Sequence, residues 1–160
     1  MNRLYFFTLL LCLGCTLMPK PSDTLSIHAI RLLPGQDLKQ ELDKFAKTHQ
    51  LQAAFILTCV GSLQKVCIRP ANQTVPLRLE QKMEIVSLVG TISPDGMHLH
   101  ISLSDAEGKT IGGHLLDGNE VFTTAEIVIG EASQLKFRRE TDSLTTFKEL
   151  TVYPRNKPNP

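Results

Sequence analysis

Three of the chain's five histidines fall in the stretch HLHISLSDAEGKTIGGHL, residues 98–115. His98 and His100 are one residue apart. In an extended strand that spacing puts both imidazoles on one face, about 7 Å apart, with Leu99 and Ile101 on the other. Where His114 points depends on the turn between. The segment DAEGK suits a three-residue loop, with Ala106 and Glu107 in a type I turn and Gly108 left-handed. That register sets Asp105 opposite Lys109 and His100 opposite His114, on the face that carries His98. A two-residue loop would pair His114 with Leu99 and disperse the three; the glycine position favours the first register. Three imidazoles on one sheet face, with opposed Cβ atoms about 5 Å apart, form a ligand set for zinc or another divalent metal. Tetrahedral zinc takes three histidines and keeps a fourth position open. Gly112 and Gly113 beside His114 let the backbone bend or admit a close approach. Asp117 and Glu126 are the nearby candidates for orienting a ligand or acting as general base. The plain alternative is a strand whose histidines lie at the surface or bond within an oligomer interface.

Other chemistry is not signalled. CVGSLQK lacks the second glycine and the Lys-Ser/Thr of a phosphate loop. GSL and VGT lack the flanks of a nucleophile elbow, and neither HExxH nor GxGxxG occurs. Of the four cysteines, Cys12 and Cys15 belong to the N-terminal apolar run. Cys59 and Cys67 lie in AAFILTCV and KVCIRP, joined by GSLQ. If these segments form a hairpin of even register, the two thiols face each other and can bridge in an oxidising compartment. The plainer reading is two buried small apolar residues. No CxxC follows the leader, which excludes a zinc ribbon or thioredoxin-like motif.

The elements that would position these residues follow from periodicity. In 160 residues with a net charge of +1, one domain is expected and no concentrated basic surface. The densest basic groups, Lys136, Arg138 and Arg139, are diluted by Glu140 and Asp142, and Arg155 and Lys157 lie in the tail. LSIHAIRLL alternates as a first strand, with Ile27, Ala29 and Arg31 on one face. QDLKQELDKFAKTHQL spaces Leu38, Leu42, Phe45 and Ala46 as an amphipathic helix of about three turns, with Asp37 at its start. QAAFILTCVGSL is apolar enough for a central strand packed on both faces, and QKVCIRP reads as a shorter strand after it. ANQTVPLRLEQKM reads as a loop with a short extended piece. EIVSLVGTI, MHLHISLSD, KTIGGHLL, NEVFTTAEIVIGE, QLKFRRET and FKELTVY read as further strands. The fold class is therefore α/β of the α+β type, with one or two helices and a mixed, largely antiparallel sheet of about seven strands.

The N-terminus has its own character. MNRLYFFTLLLCLGC opens with Arg3 and runs apolar, too short to span a membrane but of signal-peptide length. Its LGC resembles a bacterial lipoprotein cleavage site, at which Cys15 would be lipidated. The division is then a leader over 1–17, a spacer over 18–25, the domain over 26–154 and a tail over 155–160. That implies a cell-envelope protein whose only membrane attachment is the lipid. A start at Met18 would instead give a cytoplasmic protein.

Taken together, RLLPGQDLKQELDKFAKTHQLQAAFILTCVGSLQKVCIRP, EIVSLVGTISPDGMHLHISLSDAEGKTIGGHLLDGNEVFTTAEIVIGE and FKELTVYP resemble the PPC domain, the plants-and-prokaryotes-conserved domain. The resemblance covers residues 26 to 154, and its most specific part is the histidine-bearing string through TTAEIVI. It implies an α/β domain with a mixed sheet, assembly as a homotrimer, and partner binding through the domain. It also implies a metal site, zinc for preference, on His98, His100 and His114. Plant members carry AT-hooks that bind A·T-rich minor grooves, whereas this chain has no Arg-Gly-Arg-Pro core. The resemblance thus implies a trimeric binding and assembly module. A cytoplasmic DNA-binding protein and a metal-dependent enzyme are the alternatives.

Overall fold

The computed structural model describes residues 24–155; the leader, Cys15 and the end of the tail lie outside them. Helix α1 (Leu38–Thr48) begins at Asp37, whose Oδ1 accepts from the backbone N–H groups of Lys39 at 3.0 Å and Gln40 at 2.9 Å. This cap satisfies two amides that the first turn leaves without intrahelical partners. Leu38, Leu42 and Ala46 face the core, as their spacing requires. Among the described residues α1 is the single helix.

The strands are β1 (Leu25–Leu32), β2 (Ala54–Arg69), β3 (Leu77–Leu79), β4 (Met83–Ser93), β5 (Gly96–Ser104), β6 (Thr110–Leu115), β7 (Glu120–Ala132), β8 (Leu135–Thr141) and β9 (Lys148–Pro154). Seven of them form one sheet in the order β1-β7-β2-β4-β5-β6, with β3 also on β2; β8 and β9 pair separately. Every strand pairing among the described residues is antiparallel, so the largely antiparallel character expected holds without a parallel pair among them. The last residues of β2 return to pair with β6, Ile68 with Leu115 and Arg69 with His114. The run β2-β4-β5-β6 therefore closes on itself.

Two sequence expectations fail at β2. GSLQ is not a turn; residues 54–69 form one continuous strand. Its polar side chains have partners within the sheet: Ser62 Oγ bonds Thr123 Oγ1 at 2.8 Å, and Gln64 Nε2 donates to Glu120. Register shifts flanking Leu63 take up the bend. Cys59 and Cys67 are thus eight positions apart on one strand, on the order of 25 Å, and both are free and buried. A bridge between them is ruled out. Burial pushes the Cys59 thiol up to about 12, which keeps it an inert apolar filler. Nor is β2 packed on both faces. Leu57 and Val60 are exposed, because the core that holds Ile56, Leu63, Ile85, Leu88, Ile92, Leu99 and Ile101, together with Leu38, Leu42 and Ala46 of α1, lies on the other side. In β1 the alternation holds, and the face with Ile27, Ala29 and Arg31 is the outward one.

The loop after β6 ties these parts together. Asn119 is fully buried. Its Oδ1 accepts from the Cys67 N–H at 3.0 Å, and its Nδ2 donates to the carbonyls of Cys67 at 2.8 Å and Leu116 at 2.7 Å. Asp37 Oδ2 accepts from the N–H groups of Gly118 at 2.6 Å and Asn119 at 3.0 Å. One carboxylate thus caps the helix and holds the loop that ends β6.

Candidate metal centre

The turn forms as its sequence dictates. Gly108 is left-handed at φ 78°, and its N–H donates to the Asp105 carbonyl at 3.0 Å. Asp105 Oδ1 accepts from the N–H groups of Glu107 at 3.1 Å and Lys109 at 2.8 Å. The resulting register pairs His100 with His114 and Ser104 with Thr110. Leu99 and Ile101 are buried on the opposite face. His114 is further pinned by β2: a Cβ on Gly113 would lie 2.6 Å from the Arg69 carbonyl, so only glycine lets the two strands approach this closely. Behind His98, Gly90 sits at φ 136° on β4, where a Cβ would collide with the His98 carbonyl.

The three rings converge. Their centroids are 5.0 Å apart for His98–His100, 5.0 Å for His98–His114 and 5.6 Å for His100–His114. His98 Nε2 and His100 Nε2 lie 3.1 Å apart, and one nitrogen from each ring falls within 4.8 Å of the others. Zinc–nitrogen bonds of about 2.0–2.1 Å at tetrahedral angles require nitrogens about 3.3 Å apart, so the His98–His100 pair is already near that spacing and a His114 nitrogen lies within 4.8 Å of both. His114 Nδ1 is buried without a hydrogen-bond partner, the kind of orphan that a bound group explains. Burial, then Arg139 and His100, holds His98 below the ordinary imidazole range. Burial, then His98, Arg69, His100 and Lys39, brings His114 down to about 4. Both effects favour the neutral imidazole, which is the form that binds metal. The donor set fits a divalent ion of the zinc type.

Asp117 and Glu126 are not brought to the rings. Asp117 pairs with Lys39 Nζ at 3.0 Å. Glu126 lies on β7 opposite Val60 and Arg31, with β2 and β4 between it and β5. What the sequence did not reveal is the β8–β9 hairpin over the outer face of the sheet. Asp95, at the β4–β5 turn, forms an ion pair with Arg138 Nε at 2.7 Å and accepts from the Arg139 N–H at 3.0 Å. The Arg139 guanidinium donates to Thr91 Oγ1 at 3.1 Å, and Thr91 is the cross-strand partner of His98. The hairpin thereby walls one side of the histidines. Arg69 walls the other, and its pairing would have been legible had β2 been read as one strand.

The chain and its fold match known proteins. The Plants and Prokaryotes Conserved (PCC) domain, also written PPC, matches residues 20–133, and the chain belongs to that family. A Salmonella enterica protein of solved structure is 40% identical, with a TM-score of 0.83 over 84% of this chain and 98% of that one. A metal-containing protein from Archaeoglobus fulgidus is 27% identical, with a TM-score of 0.70 over 79% of this chain and 93% of its own. The bifunctional protein GlmU of a Synechococcus strain is 46% identical over 84% of this chain. The chain spans only 22% of that protein's length.

Proposed function

We propose that the chain is the subunit of a homotrimeric binding and assembly module that holds a divalent metal, zinc for preference, on His98, His100 and His114. The convergence of three imidazoles around an unpartnered His114 Nδ1 carries this reading. The metal-containing Archaeoglobus relative supports it. Self-association is supported by the outer sheet face, where Ile27, Val60, Val86 and Val89 are each more than half exposed, an apolar surface suited to burial against further copies. The net charge of +1 and this apolar face favour protein partners over nucleic acid.

Purified full-length protein is expected to carry about one metal ion per chain by elemental analysis, and His100→Ala to carry less than about a tenth of that. His100 is exposed, so the variant keeps its fold. Equal metal content in the two proteins rejects the site.

A further inference from the structure

The β8–β9 hairpin closes one side of a cleft of about 440 Å³ that also exposes His98 and His114. Its charges are unequal: Arg69, Arg139 and Lys148 against Asp95 and Glu149. Asp95 is already engaged by Arg138 and the Arg139 N–H, and Glu149 Oε1 accepts from Thr145 Oγ1 at 3.0 Å. Two of the cations flank the histidines from opposite sides. Arg69 is the cross-strand partner of His114, is exposed, and joins none of the ion pairs among the described residues. Arg139 reaches in from the hairpin through Thr91. Met97 and Phe147 add an apolar stretch to the lining.

We propose that this cleft binds a small organic carboxylate. Arg69 and Arg139 hold its carboxylate at the open coordination position of a metal on the three histidines, and its apolar part lies against Met97 and Phe147. The inference rests on the metal reading above. Three neutral imidazoles leave the full charge of a divalent ion uncompensated, which favours an anion as the fourth ligand. A guanidinium presents the planar fork that matches a carboxylate. The cleft volume lies near the lower end for small-molecule sites, and the apolar stretch distinguishes an organic acid from an inorganic anion.

The test uses full-length protein loaded with cobalt(II), its metal content measured first and its visible absorption followed as benzoate, benzamide or inorganic phosphate is added at constant ionic strength. Benzoate is expected to change the cobalt bands saturably, and benzamide to leave them unchanged. Arg69→Gln and Arg139→Gln should each keep the cobalt and weaken benzoate binding about tenfold or more. Benzoate acting no better than benzamide, phosphate acting as well as benzoate, or undiminished benzoate affinity in both variants overturns the carboxylate assignment while the metal reading stands. Wild-type protein that takes up no cobalt overturns the metal reading itself, and the inference with it.

Discussion

At the residue scale, a few side chains do most of the positioning. Asn119 replaces a stretch of strand pairing with its own amide, bonding both backbone groups of Cys67 beside the end of β6. Asn119→Ala removes the partner of the buried Cys67 N–H and of the Leu116 carbonyl, while the Cys67 carbonyl keeps the Leu116 N–H, and should lower unfolding free energy by about 2–3 kcal/mol in a urea titration. A change under about 0.5 kcal/mol would remove Asn119 from that role. The histidines themselves were legible because one glycine sets their register: with Gly108 left-handed, His100 has to meet His114. Arg139 and Asp95 were not. Their contact joins two separate sheets, and no periodicity along the chain connects a residue of β8 to the β4–β5 turn.

At the element scale, the hairpin is an addition to the sheet held by few bonds. Arg138, Arg139 and Phe137 attach β8, the last through its N–H to the Gln52 carbonyl at 2.9 Å, and Arg155 after β9 pairs with Glu131 at 3.5 Å. The Arg139 N–H, then Arg138, holds the Asp95 carboxyl below its ordinary 3.8. Since the folded state favours the ionised form, this contribution is fully present above that ordinary value and is lost as pH falls through the lower folded one. Asp95→Asn should therefore reproduce at neutral pH what acid does to the wild type. Amide exchange across β8 and β9 is expected to rise about fivefold or more while β1 and β7 keep their protection. Uniform exchange in the two proteins would show that Asp95 does not hold the hairpin. The same scale explains the misreading of β2. GSLQ has turn composition, but Thr123 and Glu120 on β7 give Ser62 and Gln64 hydrogen bonds that a turn would have sought in water.

At the scale of the whole molecule, the one helix among the described residues lies on the inner side of the sheet, and the β8–β9 hairpin covers only part of the outer face. Val60 and Val86 stand on neighbouring strands of that face, both exposed. If this surface assembles the trimer, the double variant Val60→Asp, Val86→Asp should elute with the mass of one chain in size-exclusion chromatography with light scattering, against three chains for the wild type. A mass unaffected by two buried charges would locate the interface elsewhere. The mostly antiparallel sheet and early helix were readable from alternation and spacing. The exposed part of the outer face was not, because β2 is apolar enough on both sides to resemble a fully enclosed strand.

The closure of β2 onto β6 also has a consequence in time. Arg69 meets His114 and Leu25 meets Ala132 only after long intervening segments have been gathered, and such distant pairings make folding slow. The His98–His100 pair can form within a local hairpin, whereas the cross-strand contact that pins His114 waits for the ring to shut. Metal capture then becomes a clock for the last act of folding. In stopped-flow refolding, uptake of a chromogenic metal should lag behind the burial of the core reported by circular dichroism. Simultaneous uptake and burial would mean that the β5–β6 hairpin binds metal before the ring has closed.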